Sequence, residues 1–264
     1  MTQALLNALP EWALFILFVI VPVGLTLLGS FCIRKFLPHW KRPGSEETVG
    51  IALGVLSTFF ALVLAFAIVN LYQRYDDASY RVDATASALI ALSHDAGAFP
   101  APEQRRINLA IVSYSHHLTT SVFPGLREGT FTPGGNPGTS GLYLALQSFH
   151  PQSPSEVGFY DASINEIGTI ATEEQQFTSD GSSALPGAFA ALLVATGLLT
   201  LCGTFVLVTQ SIVFENMLSS VIAAVIGMGW LTVAILEYPF SGSVAVSTAA
   251  FTHGYLSSLP HLLR

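Results

Sequence analysis

The sequence predicts an all-α membrane protein with four transmembrane helices, the second continuing as a long extramembrane helix, and a helical middle domain between spans two and three. Three observations predict it. The 264 residues carry 10% charged side chains and 51% hydrophobic ones, whereas an ordinary soluble domain carries ~25% charge. The apolar residues gather into four blocks, about 12–33, 49–71, 187–208 and 212–236, each close to the ~20 residues that cross a bilayer core. From Gly50 to Leu92 the chain runs without proline from an apolar half into a half with regularly spaced charges. At ~1.5 Å per residue, a helix of that length crosses a core of ~30 Å and continues about as far beyond it.

Residues 1–71 hold the first two spans. No Lys or Arg precedes the first apolar block, and Arg34, Lys35, Lys41 and Arg42 follow it, the order expected of an uncleaved anchor with its N-terminus outside. Pro22, with Gly24 after it, predicts a kink, since proline removes a backbone donor. The loop 34–48, with its basic residues, His39 and Trp40, is placed in the cytoplasm by its excess of Lys and Arg. Four spans then put residues 72–186 and both termini on the extracytoplasmic side of the cell membrane.

Turning the second span in 100° steps separates two faces. Gly50, Gly54, Ser57, Ala61 and Ala65 form a small-residue face suited to close helix packing, which Tyr72, Ser79, Val82, Ala86 and Ile90 continue. Opposite lie Phe59, Val63, Phe66 and Asn70, then Arg74, Asp77 and Arg81. This row reads either as a lipid-facing aromatic row that ends in interfacial polar residues, or as a hydrophobic constriction below a charged vestibule, repeated about a symmetry axis. Asn70 is suited to an interhelical hydrogen bond or to contact with a solute.

The extramembrane domain, 72–186, restarts after Gly97 and Pro100 with an amphipathic helix through Ile107, Ile111, Tyr114 and Leu118 that should end before Pro124. A turn-rich, mobile loop follows at 129–141, then helices at about 142–149 and 155–178. Residues 187–236 form a transmembrane hairpin in which Glu215, near the turn, reads as a solvated cap rather than as an ionisable group inside a cavity. Residues 237–264 form a C-terminal tail too polar to span again.

Several chemistries find no motif. The net charge of −7 lacks the basic surface that nucleic acid requires. Cys32 and Cys202 lie singly inside spans and read as apolar packing residues. His94, His116, His117 and Glu103 lack metal-ligand spacing, so neither a metal nor another cofactor is expected. Glu173 and Glu174 beside two glutamines read as a solvated helix face rather than an acid–base pair. No catalytic residue is assigned, and an enzyme is the weakest class.

The segment FFALVLAF-x3-N-x2-QRY at Phe59–Tyr75, with PFSG at Pro239–Gly242, resembles the bestrophin-like membrane proteins, a family named for a proposed relation to bestrophin anion channels. The match extends over the four spans. The chain departs from the arginine-rich stretch usual in the family before span three, having Thr172, Glu173, Glu174, Gln175 and Gln176 there. The resemblance implies a pentamer-like assembly with an aromatic and aliphatic neck on the second helix, to which Phe59, Val63 and Phe66 are similar in kind. It also implies cytoplasmic termini, against the charge argument. The resulting expectation is a homo-oligomeric ion channel in the lipid bilayer that conducts small anions along span two, with Arg74 and Arg81 concentrating anions and Asp77 opposing them. The alternative is a non-conducting scaffold or sensor that binds a partner through its extramembrane helices.

Overall fold

A computed structural model describes residues 3, 7, 9–36, 46–131, 138–182, 185–206, 211–242 and 244–262. The α-helices among the described residues, in chain order, are α1 (Glu11–Phe15), α2 (Val21–Phe36), α3 (Glu46–Asp95), α4 (Ala101–His117), α5 (Phe123–Glu128) and α6 (Gly138–Gln147). They continue as α7 (Pro154–Ser182), α8 (Gly187–Thr204), α9 (Ile212–Leu236), α10 (Ala249–Thr252) and α11 (Tyr255–Leu262). No strand occurs among the described residues. Among the described residues, four helical stretches are long and apolar enough to cross a membrane: Trp12–Phe36, Glu47–Ala98, Gly187–Thr204 and Ile212–Leu236. The chain divides into two compact units, residues 1–73 with 184–237, and residues 74–183 with 238–264.

In the first unit, the irregularity expected near Pro22 is a wide π-helical turn at Ile16–Ile20, immediately before α2. Proline cannot donate to the carbonyl one turn earlier, that of Phe18, so the regular ladder is interrupted there. That carbonyl lies against Gly227 of α9, where a Cβ would come within 2.2 Å of the Phe18 oxygen. Glycine therefore lets α9 approach the first span backbone to backbone. The apolar core of this unit joins Phe60, Val63, Ala67 and Leu71 of α3 to Leu193 and Leu201 of α8 and to Ala223, Ile226 and Val233 of α9. Of the loop 34–48, His39, Trp40, Lys41 and Arg42 lie outside the described residues, as does the connection 207–210 of the expected hairpin.

In the second unit, α3 ends at Asp95, a 3-10 turn covers Ala96–Ala98, and Phe99 is extended before Pro100. The helix expected to stop before Pro124 passes instead from α4 through a π-helical turn at Leu118–Val122 into α5. Pro124 sits in the first turn of α5, where a missing N–H is tolerated. Gly129, at φ 71°, closes α5 in the left-handed conformation that glycine accepts. Of the loop expected at 129–141, residues 132–137 lie outside the described residues, and 138–141 form the first turn of α6. The start of α7 is set by a capping box: Ser153 Oγ accepts from the Glu156 N–H at 3.2 Å, and Glu156 Oε2 accepts from the Ser153 N–H at 3.2 Å.

The C-terminal stretch is not a separate tail. Phe240, Val246, Phe251, Leu256 and Leu259 are buried in the second core, and Phe123 lies within 6.2 Å of the Phe240 ring and 5.6 Å of the Phe251 ring. The apolar spacing of these residues outweighs the polar residues between them.

Candidate functional site

Within the first unit, α3 buries one stripe: Leu53, Phe60, Val63, Ala67 and Leu71. Phe59 and Phe66 are exposed, at 48% and 62%, and Asn70 is exposed with them. Val63 departs from the expected row. It lies roughly 40° from Phe59 toward the buried Phe60 on a helix of 3.6 residues per turn, and its side chain is 8% exposed within the core. It supports the helix and does not line the exposed row. The Phe66 ring lies 6.0 Å from the ring of Phe189 on α8. Asn70 Nδ2 donates to the Phe66 carbonyl of its own helix at 2.8 Å, so among the described residues this amide makes no interhelical hydrogen bond.

The small-residue face also departs from expectation within a single chain. Gly50, Gly54, Ala61 and Ala65 are exposed and Ser57 is half-buried. Nothing lies within 4 Å of a Cβ placed on Gly50 or Gly54. The packing stripe of α3 is the one through Phe60 and Ala67, because α8 and α9 supply the side chains that cover it.

Glu215 is not a solvated cap. It is buried, with Arg34 Nη2 2.8 Å from its Oε1 and Ser30 Oγ donating to the same oxygen at 3.3 Å. Arg34 also donates to Asn216 Oδ1 at 3.4 Å. The cation lies in the last turn of α2 and the anion in the first turn of α9, where each complements the partial charge of its helix end. Sequence reasoning missed the pair, although the two opposite charges stand at the facing ends of two apolar blocks. Cys32 and Cys202 are exposed in the chain and take no part in its core.

In the second unit the three charges read as a vestibule differ in setting. Asp77 is exposed, and Arg74 and Arg81 are half-buried. Arg81 Nη1 lies 3.2 Å from Glu173 Oε2 of α7, so Glu173 compensates its charge. The next residue, Glu174, is buried and accepts a hydrogen bond from the Tyr114 hydroxyl at 2.7 Å. The stretch read as a solvated face thus carries one ion-paired and one buried carboxyl group, since α7 packs that side against its neighbours. Burial raises the Glu174 pKa above its ordinary value, while the Tyr114 hydrogen bond and His117 oppose the rise. His94 stacks on Tyr255 at 5.1 Å, and Ser93 Oγ bonds Asn108 Oδ1 at 2.8 Å and Tyr255 at 3.1 Å. No group of three metal-ligating side chains occurs among the described residues.

The fold is shared with solved proteins. A crystal structure of a bacterial bestrophin homologue from Klebsiella pneumoniae, a single-site variant, matches with a TM-score of 0.66 at 20% identity, covering 92% of this chain and 98% of that one. A second variant of the Klebsiella pneumoniae homologue matches with a TM-score of 0.63 at 19% identity, covering 93% of this chain and 96% of that one. No curated protein sequence matches the chain. The family model of the bestrophin-like domain matches residues 20–251, and with four apolar spans in one all-helical chain, the protein belongs to the bestrophin-like family.

Proposed function

We propose that the protein is the subunit of a homo-oligomeric ion channel in which copies of α3 line the path. One observation carries this reading. Within the first unit, helix α3 packs along a single stripe and leaves Phe59, Phe66 and Asn70 exposed on one side, and Gly50, Gly54, Ala61 and Ala65 on another. A small-residue face admits the helix of a second copy, and rings of phenylalanine around an axis form a constriction that gates by excluding water. The likeness to bacterial bestrophin homologues supports the same architecture.

Arg74, Asp77 and Arg81 follow in the same helix and bear on the sign of the permeant ion. The anion preference expected from two arginines is weakened at Arg81, which Glu173 compensates, whereas Asp77 is exposed. Purified protein in planar bilayers tests the reading. Wild type should conduct, Phe66→Ala should raise the unitary or leak current several-fold, and Asp77→Asn should move the reversal potential in a salt gradient toward anions. Absence of current from wild type and Phe66→Ala across pH and salt would replace the channel with a membrane scaffold or sensor.

A further inference from the structure

Glu173 and Glu174 tie α7 to two different helices. Glu173 reaches Arg81 of α3. Glu174, ~100° further round α7, reaches Tyr114 of α4. Glu174 is 5% exposed, and its second oxygen, Oε1, is buried with no hydrogen-bond partner among the described residues. An ionised carboxylate accepts hydrogen bonds at about four lone-pair positions and donates none. One bond and one oxygen without a partner are a poor setting for a buried negative charge, and a less costly one for a neutral acid.

The groups around it do not remove that mismatch. From α4 come Tyr114, whose own ionisation burial and Glu174 both disfavour, and His117, whose positive form favours the carboxylate. From α3 comes Arg81, engaged by Glu173. From α5 come Arg127 and Glu128, both exposed, and α6 brings only Tyr143 as a titratable group, half-buried. The short turn at Ala96–Ala98 has no charged side chain.

We propose that the buried carboxyl group of Glu174, set against Tyr114, is a proton-operated latch between α4 and α7. With Glu174 protonated the helices stay docked, and with Glu174 ionised the buried charge draws water and loosens α7. Folding raises the Glu174 pKa above its ordinary value of 4.5, so the stabilisation is complete below that value and is lost as pH rises through the raised one. Because Glu173 is the neighbouring residue, loosening α7 also weakens its hold on Arg81 of α3. Acidification therefore tightens this unit and alkalinisation relaxes it.

Hydrogen–deuterium exchange on the full-length protein in nanodiscs, read at peptides covering 108–118 and 168–182 and corrected for the intrinsic rate, tests the latch. Wild-type exchange in both segments should rise ~10-fold per unit of pH through one transition above 4.5 and then level off. Glu174→Gln keeps an oxygen for the Tyr114 hydroxyl and cannot ionise, so both segments should stay protected with no transition. Tyr114→Phe keeps the ring and removes a bond that favours the carboxylate, so the transition should move to higher pH. It also keeps the latch falsifiable if the glutamine variant fails to fold. A pH-independent wild type, the same transition in Glu174→Gln, or no shift in Tyr114→Phe would each overturn the proposal.

Discussion

At Gly227, a single hydrogen in place of a methyl group holds two helices at their spacing. A Cβ there would fall 2.2 Å from the Phe18 carbonyl oxygen and 3.0 Å from Val19 Cα. Both obstacles are backbone, which cannot swing aside as a side-chain end would. Gly227→Ala should therefore cost about 1–3 kcal/mol, as overpacking does, and lower the thermal midpoint of the purified protein in detergent. Gly24→Ala, with nothing within 4 Å of a Cβ placed there, should leave the midpoint nearly unchanged and is the control. If the two variants melt together, the close approach of α9 to the first span is not present in solution. Neither requirement is visible in the sequence, where both glycines simply interrupt apolar runs. The Arg34–Glu215 pair is a similar case: 181 residues apart, the two charges acquire meaning only when α2 and α9 lie side by side.

Among the elements, the spans and the long helix are legible because length and hydropathy set them. The run from Glu46 to Asp95 contains no proline, and it forms one helix. Rotation about that helix axis is less legible. A span that is apolar all round offers no polar side to fix its phase, so Val63 could be assigned to the row of Phe59 and Phe66 by spacing alone, while α8 and α9 decide that it is buried. Local irregularity is similarly hidden, because a π-helical turn at Leu118–Val122 carries no distinctive composition. The two exposed and buried faces of α3 give a direct contrast. Ala67, fully buried, should not accept leucine, and Ala67→Leu should unfold or aggregate the chain. Ala61 is exposed in the single chain, so Ala61→Leu should leave the chain folded and disrupt only its association with further copies. Mass measurement in nanodiscs together with circular dichroism separates the cases. An oligomer unchanged by Ala61→Leu would remove the small-residue face from the interface.

For the whole molecule, the quantity that composition addresses most directly is orientation. Charge is distributed unevenly along the chain: four basic residues border the first span at Arg34, Lys35, Lys41 and Arg42, while acidic residues dominate 72–186. Carrying the basic loop to the outer face would oppose the membrane potential at roughly 2.3 kcal/mol per charge per 100 mV. The pairing of Arg34 with Glu215 offsets one of those charges, so the bias rests on Lys35, Lys41 and Arg42. We expect the loop 34–48 in the cytoplasm and residues 72–186 outside the cell membrane. Single cysteines at Ser45 and Gly135, both outside the described residues, can be labelled on intact cells with an impermeant thiol reagent. Cys32 and Cys202 must first be replaced, since both are exposed in the chain. Labelling at position 135 and protection at 45 is the expected result. The reverse pattern would place the second unit in the cytoplasm, where the proton latch at Glu174 would read cytoplasmic rather than external pH.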